Sequence, residues 1–329
     1  GVFMPDDSRL KSSDFSSGIH ALIADGDAAS IKTDAAKRGY LRETFRVFRL
    51  SDPVFSPIPV HYHDFHKIIL FLSGDSGYAI EGKTWRLAPR DIIFVRAGEI
   101  HRPLPVLGAP YERIVIYVTP ELLARYRHGE DDLAACFAKE RRPSHVMHLS
   151  AGKTHDLLFH VEKLERTAGA SGFANALYTE MLFVEFMILL NRALIDRELD
   201  ATTAAVTDEK IQALLTYIND HLTERLSIDR LAARSYVSRS HLMHRFKRVT
   251  GYGVRQYIVG KRLLLARAYL TDTTTRSISE IARLAGFDDY LPFFRAFKAQ
   301  YQMTPQEWRE RHGSVSAEQC PMINPHEQS

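Results

Sequence analysis

The sequence predicts a multi-domain protein, an all-β barrel with appended helices followed by an all-α module. Three observations predict it. At 329 residues the chain exceeds what one ordinary core organises, so two domains are expected. Between Phe45 and Thr119, short runs rich in Ile, Val and aromatic residues follow one another closely. Beyond residue 209 the apolar residues recur at helical steps, and part of that region nearly repeats itself.

In chain order, residues 1–40 are polar and rich in Ala, Ser and Asp, and read as an arm. The runs "KIILFLS", "GYAIE", "KTWRL", "DIIFV" and "RIVIYVT" are strands, separated by the turn signals "SGDSG", "EGK", "APRD" and "RAGE". Many short strands at this spacing predict an antiparallel barrel or jelly roll over 41–120. Residues 121–197 read as helical. The last helix there runs from Phe173 to Ile195, with Leu177, Met181, Val184, Met187, Leu190 and Leu194 as its apolar stripe. Glu180, Glu185 and Arg192 interrupt this segment, which excludes a membrane span. Residues 198–208 are small and polar, a linker. An all-α module follows over 209–312, opening with Ile211, Leu214, Leu215, Ile218 and Leu222 on one helical face, and 313–329 is a tail.

Hydrophobic content of 45% and charged content of 25% describe an ordinary globular chain. Cys136 and Cys320 lie far apart and make no metal or redox spacing, so they read as reduced thiols. The start of the chain lacks a basic-then-apolar signal pattern, and a soluble cytoplasmic protein is expected. The net charge of +3 hides an asymmetry. Residues 209–312 hold 18 Lys and Arg against 10 Asp and Glu, whereas 1–208 hold 25 against 28. That balance predicts a polyanion-binding module beside a domain with another task.

The repeat sharpens this. "SIDRLAARSYVSRSHLMHRFK" (227–247) lies over "SISEIARLAGFDDYLPFFRAFK" (277–298). Ser227 and Ser277 are N-caps. Gly286 suits the left-handed residue that ends a helix, and Tyr236 stands at that position in the first copy, implying a less relaxed turn. Ser238, and Asp288 or Asp289, cap the next helix. Leu242 and Phe246, or Phe293 and Phe297, then point inward. The outward face carries Arg239, Ser240, Met243, His244, Lys247 and Arg248 in one copy, and Tyr290, Leu291, Phe294, Arg295 and Lys298 in the other. Each copy has the form of a helix-turn-helix, whose second helix suits the major groove of DNA. The helix "VRQYIVGKRLLLARAYL" (254–270) between them would set two such helices about 34 Å apart, one turn of the duplex.

Residues 209–311, with Gly251, Tyr257, Arg262, Leu263, Ala266, Ile281, Ala282, Gly286, Phe287, Phe293, Arg295, Phe297, Lys298, Thr304 and Pro305 at signature positions, closely resemble the AraC/XylS family of bacterial transcription regulators. By position, the resemblance maps base reading onto Ser240, Met243 and His244, and onto Tyr290, Leu291, Phe294 and Arg295. Arg295 has a second reading as support for the fold beside Asp289. The stretch from "HYHDFH" (61–66) to "AGEIH" (97–101) resembles the cupin-like sensor domain that precedes this module in many members. The resemblance implies a non-enzymatic regulator of promoter DNA, controlled by a small-molecule effector. It also implies a homodimer working with RNA polymerase, with no cofactor and no membrane partner.

In metal-binding cupins a His-x-His pair is joined by a Glu four residues on and a third His. Here His61, His63 and His101 fit the histidines, while Lys67 takes the Glu position. Arg90 replaces the usual Gly, and Arg96 the usual Pro. Three neutral imidazoles can hold Zn²⁺, but a protonated lysine repels a cation and cannot coordinate it. The expectation is therefore no metal, with a triad of His61, His63 and His101 as the alternative. An effector site edged by His61, His63, Arg96 and His101, with Tyr78 and Trp85 as apolar walls, would favour an anionic or hydroxyl-rich molecule.

Overall fold

The structure, a computed structural model, describes residues 44–52, 58, 60–106, 109–138, 140–149, 155–271 and 276–312. The arm 1–40, the tail 313–329 and Cys320 lie outside the described residues. Two compact units form, Gly1–Leu215 with Ser240–Tyr252, and Thr216–Arg239 with Gly253–Ser329.

Among the described residues, ten strands build the first unit: β1 (Phe45–Asp52), β2 (His66–Gly74), β3 (Ser76–Ile80), β4 (Lys83–Arg86), β5 (Asp91–Val95), β6 (His101–Pro105), β7 (Tyr111–Val118), β8 (Val146–Leu149), β9 (Leu199–Ala201) and β10 (Val206–Thr207). They form two sheets, ordered β1-β7-β2-β5-β8-β9 and β10-β4-β3-β6, with every pairing antiparallel. Side chains alternate across the larger sheet. Ile69, Phe71, Ile93, Val95 and Val115 join Tyr78, Ile80 and Trp85 of the smaller sheet in one core. Ile68, Leu70, Ile92, Phe94, Ile114 and Ile116 face the other way, into a second core. Both faces are buried, so β2 and β5 read as continuous apolar runs rather than alternating ones.

The second core is closed by α1 (Pro120–Arg125), a 3-10 turn (Leu133–Phe137), α2 (His155–Ala168) and α3 (Asn175–Ile195). The buried face of α3 is Leu182, Phe183, Phe186, Met187, Leu190 and Ala193. This corrects the expected stripe. Met187 and Leu190 belong to the buried face, Val184 and Leu194 are half-buried, and Leu177 and Met181 are exposed. The helix is apolar nearly all round, and several stripes satisfy the same three- and four-residue steps. It begins at Asn175 rather than Phe173. Residues 121–197, expected to be helical, also hold β8, and the expected linker 198–208 holds β9 and β10. Strands of two to four residues carry no usable periodicity. Cys136 is a buried thiol, pushed up to about 12 chiefly by burial.

The remaining helices are α4 (Glu209–Asp220), α5 (Ile228–Arg234), α6 (Arg239–Thr250), α7 (Val254–Thr271), α8 (Ile278–Leu284), α9 (Tyr290–Tyr301) and α10 (Pro305–His312). Ser227 Oγ accepts from the Arg230 N–H at 3.2 Å, and Ser277 Oγ from the Glu280 N–H at 3.1 Å, so both expected N-caps form. Tyr236 and Gly286 both have positive φ, +53° and +93°. Asp289 takes the N-cap position of α9 without a side-chain bond to it. Pro305 opens α10, where Thr304 and Glu307 bond each other's backbone N–H in a reciprocal cap.

Of the second helices of the two repeat copies, α6 and α9, α6 from Ser240 onward belongs to the first unit. There Arg245 meets Asp208 at two points, 3.1 and 3.0 Å, and the Tyr252 ring lies 5.5 Å from Tyr62.

Candidate functional site

Two groups of side chains stand out, one on the helices and one in the barrel. On α6, Leu242 and Phe246 are buried. Arg239, Ser240, Met243, His244 and Lys247 are all exposed. Arg239 Nη1 lies 3.3 Å from Asp229 Oδ1, a solvated pair of small energetic weight. On α9, Phe293 and Phe297 are fully buried, and the Phe297 ring lies 4.6 Å from Tyr301 and 6.1 Å from Trp308. Tyr290, Leu291, Arg295 and Lys298 are exposed, and half-buried Phe294 has its ring 5.8 Å from Tyr290. Each helix thus buries an aromatic anchor and leaves a mixed face of apolar tips, hydrogen-bonding groups and cations. Bases in the major groove present donors, acceptors and methyl groups in distinct patterns that such a face can match, while Lys and Arg suit phosphates.

In the barrel, backbone bonds bring distant histidines together. His61 and His101 exchange two bonds, N–H to carbonyl, at 3.1 and 2.8 Å, and the Gly98 N–H donates to the His63 carbonyl at 2.6 Å. The ring centroids of His61, His63 and His101 then lie 4.5 to 5.1 Å apart. One nitrogen from each lies within 4.8 Å of the others. The turn that carries His101 is fixed by Glu99, whose carboxylate accepts from the Arg96 N–H at 2.8 Å and lies 3.1 Å from His145 Nε2. Burial alone would raise the Glu99 carboxyl; His145, Arg142 and the Arg96 N–H hold it down to about 2. Burial also drives the His63 and His101 imidazoles well below the usual histidine range, with His61 and Lys67 adding to the effect, so both are neutral at pH 7.

The other members of the expected effector set divide. Tyr78 stacks near His101 at 6.1 Å, with its hydroxyl buried and unpartnered. Trp85 opposes Tyr78 across the β3–β4 pair, but its indole N–H donates to the Thr202 carbonyl at 3.1 Å, and its body fills the core. Arg96 is exposed on the turn after β5. His66, the third histidine of the opening cluster, points to the opposite face of the sheet. It stacks on Phe137 at 4.2 Å, and its Nδ1 accepts from the Ala97 N–H.

Sequence reasoning set Lys67 beside the triad but missed its burial and its aromatic neighbours. Lys67 is buried with Nζ 5.9 Å from the Tyr78 ring centroid and 5.6 Å from that of Tyr117. Burial, with Arg113 nearby, lowers its amine to about 7. The signal was its phase: Lys67 shares the period-two face of Ile69 and Phe71, which point between the sheets. A separate cavity of about 230 Å³ in the first unit is lined by Glu81, Thr84, Arg102, Asp208 and Arg248, and reaches His101.

Comparison with known proteins agrees with this division of labour. The AraC-like ligand binding domain family matches residues 46–204, and the helix-turn-helix domain family matches 231–311. Among curated proteins, the HTH-type transcriptional activator RhaS of Shigella sonnei is 24% identical over 261 residues, 77% of this chain and 87% of that protein. Among solved structures, ToxT from Vibrio cholerae, with an unsaturated fatty acid bound, is 13% identical with a TM-score of 0.35. That match covers 82% of this chain and 97% of that one. The DNA-binding domain of AdpA, in complex with a target DNA, is 29% identical over 30% of this chain and 88% of that one, with a TM-score of 0.29. The helices α6 and α9 fall inside one matched region and strands β2 to β9 inside the other, and the chain belongs to the AraC/XylS family of DNA-binding transcription regulators, with an AraC-like ligand-binding domain ahead of its helix-turn-helix domain.

Proposed function

We propose that the chain reads promoter DNA through the exposed faces of α6 and α9. Ser240, Met243, His244, Tyr290, Leu291, Phe294 and Arg295 meet base edges, while Arg239, Lys247 and Lys298 meet phosphates. The observation that carries this reading is the composition of those faces. Met243, Leu291 and Phe294 contribute nothing to phosphate binding, so a protein that merely coats DNA has no use for them. The chain works as a homodimer in the cytoplasm, alongside RNA polymerase, and it acts by binding rather than by catalysis.

A small-molecule effector controls it from the first unit. The cavity beside β3, β4 and β6 offers Arg102 and Arg248 as cations, with Glu81 and Asp208 as acceptors. Two cations balanced by two carboxylates favour a compact hydroxyl-rich or zwitterionic molecule, a few hundred cubic ångströms being the usual scale of such sites. His101 borders the same cavity. Because α6 joins the barrel unit through Arg245 and Asp208, an effector that prefers one arrangement of this unit shifts the helix between DNA-competent and incompetent states.

Selection of the full chain on a random duplex pool tests the DNA reading. The expected product is a recurring site with two half-sites about 10 base pairs apart, centre to centre. A pool that gains no common sequence after repeated rounds overturns it.

A further inference from the structure

We propose that His61, His63 and His101 form a binding site for one divalent transition-metal ion of the zinc class, with a fourth coordination position left open. This goes beyond the DNA and effector readings and depends on neither.

The tautomer of His101 is fixed by its surroundings. Its Nδ1 lies 2.9 Å from the Glu99 carbonyl oxygen, which only accepts, so Nδ1 carries the proton. The lone pair is therefore on Nε2, and Nε2 is buried with no hydrogen-bond partner. Metal-bound histidines are commonly oriented this way, one nitrogen anchored to a carbonyl and the other free for the ion. His63 presents a second orphan: its Nδ1 is buried and unpartnered, and its ring is fixed by parallel stacking on Phe65 at 4.4 Å. Leaving a buried polar atom without a partner costs roughly 1–3 kcal/mol. Two such atoms within one cluster of imidazoles need a reason, and a shared ligand supplies one.

Geometry agrees. A tetrahedral zinc ion with bonds of about 2.0–2.1 Å holds its nitrogens about 3.4 Å apart. The three imidazole nitrogens already lie within 4.8 Å of one another, so rotation of the rings by about an ångström closes the site. The donor set is all imidazole, which suits Zn²⁺, Co²⁺, Ni²⁺ or Cu²⁺ and disfavours Mg²⁺ or Ca²⁺. The ammonium of Lys67 is the opposing feature. Its Nζ lies over the Tyr78 and Tyr117 rings, whose faces attract a cation, and it still acts on His63 and His101, so it weakens the site without supplying or blocking a ligand.

The test uses untagged full-length chain, stripped with chelator and titrated with Zn²⁺ and, separately, Co²⁺. The expected result is one zinc ion retained per chain after desalting, with visible absorption bands of four-coordinate Co²⁺. His63→Ala and His101→Ala lower zinc affinity by at least on the order of a hundredfold. His160→Ala, a histidine on α2, leaves it unchanged, and Lys67→Met binds at least as tightly as the parent. Should the His variants fail to fold, the cobalt spectrum of the parent decides alone. A parent that retains no more zinc than the folded His variants, a cobalt spectrum of the hexa-aquo type, or loss of metal in Lys67→Met but not in the His variants overturns the proposal.

Discussion

Gly286 lies so close to Leu222 that a β carbon added to the glycine would sit 2.8 Å from the Leu222 carbonyl oxygen. The same carbonyl accepts from Arg262 Nε at 2.9 Å, and Arg262 Nη2 also donates to the Glu224 carbonyl at 2.6 Å. One residue thus ends α8 with φ at +93° and leaves room for the arginine that holds the turn after α4. Gly286→Ala combines an unfavourable backbone conformation with a clash against main chain, which cannot swing away. A loss on the order of 1–3 kcal/mol is expected, read as a lower midpoint in thermal or urea unfolding. The equivalent turn in the first copy tolerates Tyr236 at positive φ because that side chain is exposed. Tyr236→Gly is accordingly expected to be neutral or stabilising.

Lys247→Ala and His244→Ala separate positioning from reading. Lys247 is exposed in the last turn of α6, where a cation meets phosphate. Its loss weakens binding to every sequence and lowers the salt slope by about one charge. His244 is exposed in the middle of the same helix. Its loss is expected to cost about 1–3 kcal/mol at a single base position and to relax preference there. Equal losses for both variants on specific and random duplexes would show that neither side chain reads bases.

Exposed Leu177, Tyr178 and Met181 make an apolar strip on the N-terminal half of α3, away from its buried face. A dimer that uses this strip dissociates in Met181→Glu, while unfolding stability, corrected for dimer dissociation, changes little because the site is exposed. Sedimentation of parent and variant at micromolar concentration measures this. A monomeric parent would end the dimer proposal.

Lys67 gives the barrel a pH dependence. Its amine titrates at about 7 in the fold against 10.5 when unfolded. Between those values the unfolded chain binds more protons, so stability rises with pH from about 7 to about 10.5, and below 7 the buried charge exerts its full cost. Lys67→Met removes that cost, on the order of a few kcal/mol. With chelator present, it should raise the unfolding midpoint at pH 6 and flatten the rise toward pH 10. An unchanged pH profile would mean that Lys67 is solvated.

Much of this is legible in the sequence. The strands announced themselves through Ile and Val, and the repeat through paired serine caps and aromatic anchors, because these depend on local spacing. The histidine triad was legible as a His-x-His pair and a distant third, since a barrel closes such segments on one another. Other features were not. Leu199–Ala201 and Val206–Thr207 are too short to carry a period, and their strand state comes from pairing with Met147–Leu149 and Lys83–Thr84. The packed face of α3 was ambiguous because nearly every side of the helix is apolar. Arg96 was grouped with the triad because it is close in sequence, yet it sits one step out of phase with Val95 and turns to solvent. Thr304 and Glu307 carried a readable capping-box signal, Thr-x-x-Glu, that sequence reading passed over.

The central claim is sequence-specific binding by the paired reading helices, and fluorescence anisotropy at fixed salt tests it most directly. The full chain is titrated against the duplex recovered from the random pool and against a scrambled duplex of the same composition. A preference on the order of a thousandfold or more for the recovered site is expected. Equal affinity for the two would contradict it, and would leave the basic module as a binder of phosphate alone.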